Sequence, residues 1–309
     1  MSAANGYTDT TATSLGGTFG GAGLVQQAYD RLVEFELRSV PLLRQIVDKR
    51  PGQQAMPGST VSLQIYNDLT RTTAELNEVT DPDAEAVATP ELVNVVMKER
   101  GKVAMSTIRL QALSMAPVDP ALANMIAYNM ADSIDKLVLD ALLEGTNVRN
   151  AQGAATLTDE TITAADVRYV VAKLRGGNAA ARKGNAYWAG IHPDVSHDLR
   201  AENAGNAEWR APHTYVDSKN IYTGEIGEFE GAFFVESNRL EPTEGVYPTI
   251  FVGKQALAEV VSIEPHVVIG NIVDPLKRKM PIGWHGILGH AVYRDAALYR
   301  VESASSIAD

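Results

Sequence analysis

His192, Asp194, His197 and Asp198 fall within one stretch, HPDVSHDLR. Two imidazoles and two carboxylates so close together are the donor types of a zinc or manganese centre, or the acid and base of a hydrolase. A helical zinc pair needs its histidines four residues apart on one face. Spaced by five, His192 and His197 are rotated by roughly 500° and point in different directions. A second reading accounts for each residue. The apolar run AYWAGI is a strand that ends at His192. Pro193 then opens a helix, and Asp194 sits in its first turn, where a carboxylate favours the helix dipole. We therefore assign no metal and no catalytic residue to this stretch. A metal-dependent hydrolase using the His192–Asp198 region is the alternative from another class, and it predicts bound metal in a monomer or dimer.

The remaining candidates give no better constellation. His213, His266, His285 and His290 have no Ser in a Gly-x-Ser-x-Gly elbow and no carboxylate at motif spacing. Glu225, Glu228 and Glu230 in TGEIGEFEG resemble the paired acids of a glycosidase. Among glycines and aromatics they read instead as a solvated hairpin. The chain contains no cysteine, which excludes disulfides, thiolate catalysis and cysteine-ligated metal. No cofactor is expected, and the chain reads as a structural protein rather than an enzyme.

The 309 residues suffice for two compact units or one large domain with excursions. A formal charge of −11 argues against nucleic-acid binding as the main task, because phosphate contacts need clustered Lys and Arg. Lys277, Arg278 and Lys279 form the one dense basic cluster. No apolar run is long enough to cross a bilayer, and the N-terminus lacks the basic and apolar regions of a signal peptide. Folding in the cytoplasm is expected.

The elements that would carry these residues follow from periodicity. Residues 1–23, rich in Thr, Ser, Ala and Gly, read as a flexible arm. Val25, Ala28, Leu32 and Val33 share a helical face, which Pro41 interrupts. STVSLQIYN alternates as a strand with Val61, Leu63 and Ile65 on one side. From Asn67 to Glu91 come seven acids and a single base, Arg71. Strands flank this segment, LVNVVM and KVAMSTI among them, so it is a long two-stranded excursion that needs a partner to lie against. Pro120–Glu144 is the strongest helix, with Asp119 as cap, Gly145 at its end and a stripe of Leu122, Ile126, Met130, Ile134, Leu137 and Leu142. Thr163 caps a second helix that ends at Gly176–Gly177. Short strands follow: AYWAGI, AFFVES, TIFVG and HVVIG. A long C-terminal strand is expected across GILGHAVYRDAALYRVES.

In that order, an arm, an acidic excursion, a long spine helix, a mixed region and a returning strand resemble the major capsid proteins of tailed bacteriophages, with the Hong Kong 97-type (Johnson) fold. GIHPDVSHDLR is similar to the strand-to-helix step of that family's axial domain. YTGEIGEFEGAFFVESNRL is similar to its hairpin, and IFVGKQALAEV to the strand and short helix that follow. The resemblance implies an α+β fold: an N-terminal arm (1–55), an extended β-hairpin loop (56–99), a peripheral domain (100–160 and 260–309) and an axial domain (161–259). It also implies a subunit that self-assembles into the hexamers and pentamers of an icosahedral virion shell around double-stranded DNA. Assembly would take place in the host cytoplasm, with separate scaffolding, portal and cementing proteins as further partners and no membrane. An encapsulin-like nanocompartment shell is the alternative within the fold. The expected inter-subunit contacts pair the loop acids Asp81, Asp83 and Glu85, with Arg71 beside them, against Lys98, Arg100, Lys102 and the Lys277, Arg278, Lys279 cluster of a neighbour. Some relatives weld their shells by a Lys–Asn isopeptide bond. Asn271 would offer the amide here, but the loop has no lysine between Asn67 and Met97, and Lys98 lies at its base.

Overall fold

The structure, a computed structural model, describes residues 38–50, 60–66, 68–69, 71–73, 75, 86–113, 118–202, 225–270, 276 and 278–307. The helix expected from Leu24, the loop acids Asp81, Asp83 and Glu85, and Lys277 lie outside those residues. In chain order the elements are β1 (Asp48–Lys49), β2 (Thr60–Ile65), β3 (Glu91–Val96), β4 (Lys98–Thr107), α1 (Ile108–Leu113) and α2 (Val118–Leu143). Then come β5 (Val148–Asn150), α3 (Ala164–Gly176), β6 (Tyr187–Ile191), α4 (Pro193–Glu202), β7 (Glu225–Phe229) and β8 (Ala232–Glu236). The chain finishes with β9 (Tyr247–Val252), β10 (Leu257–Ile269), β11 (Lys279–Val292) and β12 (Leu298–Ser303).

Three sheets result. A four-stranded sheet has the order β1-β10-β11-β4, a six-stranded sheet the order β5-β12-β9-β6-β8-β7, and β2 pairs with β3 alone. The spine helix α2 begins at Val118, one residue ahead of the expected cap Asp119. It serves both large sheets. Met130, Ile134 and Leu137 pack on Val261 and Leu288 of the four-stranded sheet. One turn further on, Val138, Leu139 and Leu142 join Trp188, Phe233, Ile250 and Leu298 of the six-stranded sheet. Its stripe is thus continuous, as the 3.6-residue period requires, but its two halves face different sheets.

The six-stranded sheet is covered on its other face by α3 and α4, through Val167, Val170, Leu174, Val195 and Leu199. Thr163 caps α3 as expected, in a full capping box with Asp166. From Glu225 onward TGEIGEFEG forms a hairpin, with Glu230 and Gly231 at φ 49° and 81° between β7 and β8. Two consecutive left-handed residues are the turn that matches strand twist, and glycine takes the second at little cost.

The expected single C-terminal strand is corrected. Residues 286–303 divide between β11 and β12, in different sheets. The break has a local cause. The Tyr293 and Arg294 amides turn back onto the Ala256 carbonyl, and a 3-10 turn at Asp295–Ala297 redirects the chain to pair Leu298 with Val252. β5 likewise pairs parallel to β12 within the six-stranded sheet.

Candidate subunit interface

The excursion begins and ends in a stem, β2 and β3, paired antiparallel from Thr60–Val96 to Ile65–Glu91. The expected alternation holds: Val61 and Leu63 are buried and their neighbours exposed. The stem lies across the four-stranded sheet on the face away from the spine helix. There Val61, Leu63, Val95 and Met97 cover Ala258, Val260, Ile287 and Ala291. Gly289 permits the approach, since a methyl group there would land on the Val96 carbonyl oxygen. At the outer end of the stem and beyond it the apolar side chains lose their cover. Tyr66, Leu69, Val87 and Leu92 are each more than half exposed. On the same face of the sheet, Val103 and Met105 of β4 are also more than half exposed, and Val268 of β10 is 39% exposed. Single exposed apolar residues are ordinary, but a row along one sheet face marks a contact surface.

The predicted contact residues are only partly gathered. Lys98, Arg100 and Lys102 alternate along β4 and so share one face, opposite Leu288, Gly286 and Trp284. Trp284 donates its indole N–H to Asn129 of the spine helix, so that face is the helix side of the sheet. Lys279 pairs with Thr107 at the far end of β11, nine residues from Leu288, and on the opposite face. That separation is roughly 30 Å. Arg278 lies beside it, with its carbonyl held by the Ile108 amide. Arg71 is exposed. The described cations therefore form two separate groups.

Sequence reasoning missed the polar contacts that hold residues 42–48 in place. Leu42, Leu43, Ile46 and Val47 are buried in the main core. Asp135 of the spine helix accepts the amides of Leu43 (2.6 Å) and Arg44 (3.2 Å). The Arg44 guanidinium reaches the buried Glu259 at 2.8 Å and Glu264 at 2.8 Å. His290 stands 3.6 Å from the same Glu259 oxygen. Asp48 accepts from Arg182 (3.1 Å) and from the Gln255 amide (2.7 Å). Arg239 joins Asp132 at 2.7 Å and approaches Asp135 at 3.6 Å. Burial pushes the Asp135 carboxyl up, against the pull of Arg239 and the two amides. Burial acts the same way on Glu259, but His290 and Arg44 outweigh it and hold that carboxyl below its usual range. One signal was available: Asp135 sits between Ile134 and Val138 on the apolar face of a helix, where an acid needs a partner.

HPDVSHDLR is built as a strand-to-helix step. β6 ends at Ile191 and α4 starts at Pro193. His192 stacks against Tyr247 at 5.0 Å, and the Tyr247 hydroxyl donates to Asp194. Asp198 is occupied by the Ser305 hydroxyl and by the hydroxyl and amide of Ser306, and with His197 these hold its carboxyl low despite burial. His197 is exposed. Among the described residues no three His, Asp or Glu side chains are placed to share a metal ion. Glu228 and Glu230 are strand and turn residues of the β7–β8 hairpin, and Glu230 pairs with Arg168 at 2.8 Å.

The stem covers one half of the sheet face, and the exposed apolar side chains at its outer end and on the other half make a surface of the kind that contacts other chains. The description "phage capsid protein" belongs to a family whose sequence profile matches residues 145–307, more than half of the chain. The chain belongs to this family of phage capsid proteins, and it is a capsid shell subunit with the Hong Kong 97-type fold. Solved structures agree in fold over nearly the whole length. A Mycobacterium phage Che8 chain is 16% identical with a TM-score of 0.67, over 90% of this chain and 96% of that one. The capsid of Ralstonia phage GP4 gives 11% identity and a TM-score of 0.76, over 92% and 96%. The cyanophage Pam1 capsid gives 13% and 0.69, over 93% and 98%. No curated protein matches the chain.

Proposed function

We propose that this subunit assembles with copies of itself into hexamers and pentamers that tile an icosahedral head around packaged double-stranded DNA, without enzymatic activity of its own. The observation that carries the reading is the set of apolar side chains at the outer end of the stem and beyond it, Tyr66, Leu69, Val87 and Leu92, each more than half exposed among the described residues. The net charge of −11 suits a wall that must not adhere to its cargo. We assign residues 1–55 to an arm, 56–99 to the extended loop, 100–160 and 260–309 to a peripheral part and 161–259 to an axial part. β5 and β12, from the segments assigned to the peripheral part, hydrogen-bond into the same sheet as β6 to β9. Assembly takes place in the host cytoplasm, with separate scaffolding, portal and cementing proteins as further partners.

In this reading the acidic loop of one copy lies against basic surface of the next. Negative-stain microscopy and sedimentation of the purified protein test the assembly: shells or capsomers of five or six subunits are expected, and a monomer at every salt and protein concentration overturns it. Reversing Asp81, Asp83 and Glu85 to Lys tests the loop contact. Particle yield should fall sharply, and normal yield and stability would count against that contact.

A further inference from the structure

The bare half of the four-stranded sheet carries two histidines side by side. His266 of β10 and His285 of β11 are direct partners in the antiparallel register, so both project from one face. Their ring centroids are 6.3 Å apart, edge to face. It is the face that the stem covers further along, as the register from His285 to Ile287, Gly289 and Ala291 requires. Around the pair stand the uncovered apolar side chains Val103, Met105 and Val268.

We propose that His266 and His285 form a proton-operated contact: charging of the two imidazoles tightens the seat of a second copy's acidic loop, residues 67–91, on this face. The proposal rests on the loop contact put forward above, seats it on the face that carries Lys279 rather than the one that carries Lys98, Arg100 and Lys102, and adds its regulation. The occupant is chosen by charge. The loop carries seven acids and one base, so it gains most from a surface that turns cationic. Histidine is the side chain that changes charge between about pH 8 and 5, whereas loop carboxylates stay ionised down to about pH 4. Between those limits acid adds positive charge under an anionic segment.

The neighbouring groups leave room for this. Glu99 of β4 holds His285 at 2.8 Å and balances one of the two charges. The Glu264 carbonyl holds His266 at 2.9 Å, while the Glu264 carboxylate is engaged by Arg44 at 2.8 Å and Lys49 at 3.7 Å. Lys279 shares the face at its far end, and Glu91, the first residue of β3, pairs with Ile65 at the outer end of the stem. Lys98, Arg100 and Lys102 are on the opposite side of β4. Charging the pair therefore takes the cluster Glu99, His266 and His285 from net negative to net positive.

The test uses assembled particles of the full chain, with disassembly in urea followed by light scattering at pH 7.5 and 5.5. Wild-type shells should dissociate roughly threefold more slowly at the lower pH, the scale of one or two exposed ion pairs, and 1 M NaCl should remove the difference. The double variant His266→Gln/His285→Gln should assemble at pH 7.5 and lose the acid response. So should particles with Glu75→Gln and Glu78→Gln, which leave the sheet untouched. An acid response of equal size in the histidine variant, or none in the wild type, overturns the proposal. Absence of particles at every pH would instead overturn the shell reading itself.

Discussion

At the scale of single residues, the buried carboxylates Asp135 and Glu259 decide how the entering chain is held, and they respond to acid in opposite senses. The Glu259 carboxyl is lowered in the folded protein relative to an unfolded value of about 4.3. Its contribution to stability is thus complete above that value and is lost as the pH falls through the folded one. The Asp135 carboxyl is raised, so its ionisation costs stability at neutral pH, and the cost disappears as the pH falls through its raised value. Glu259→Gln should flatten the acid limb of a urea-midpoint profile measured from pH 7 to 3. At neutral pH it should destabilise by about 3 kcal/mol, because Arg44 loses its buried partner. Asp135→Asn should leave the acid limb steeper than in the wild type. Identical profiles for all three proteins would disprove the assignment. The same scale explains why HPDVSHDLR misleads at first sight: polar residues that begin a helix, stack on Tyr247 and tie down Ser305 and Ser306 use the same residue types as a metal site.

At the scale of elements, much was legible. Period-two alternation gave β2, and period 3.6 with Thr163 and Gly177 gave α3 almost to the residue. These elements are specified by their own sequence. The division of residues 286–303 was not legible, because β-rich residues run through it and the turn is made by hydrogen bonds to Ala256, distant in sequence. The candidate contact cations do not form one patch, since strand alternation and a ten-residue register place Lys279 and Lys98 on opposite faces. Gly289 shows a similar dependence on tertiary context. Gly289→Ala should push the stem off the sheet, lower stability by about 1–3 kcal/mol and raise hydrogen exchange in β2 and β3 before the rest of the body. Unchanged protection of Val61 and Leu63 would show that the stem does not depend on this approach.

For the molecule as a whole, cohesion between subunits should be entirely noncovalent. The loop has no lysine from Asn67 to Met97, and Lys98 is fixed in β4 opposite Leu288, beside the stem. Particles boiled in detergent should run as one band near 33.2 kDa, whereas a ladder of multimers would implicate Lys98 first. The position of β12 has a further consequence, which concerns time rather than shape. Leu298–Ser303 is the last strand of the described chain to be synthesised, yet it lies inside the six-stranded sheet, between β5 and β9. Until it leaves the ribosome, β5 lacks its one partner in the sheet, β9 lacks one of its two, and Leu298 is missing from the core that the spine helix shares. Chains emerge from their N-terminus, so the loop and stem are exposed long before this sheet can close. A chain cut before Leu298 should therefore fail to close this sheet, and its hydrogen exchange should show β5 and β9 unprotected.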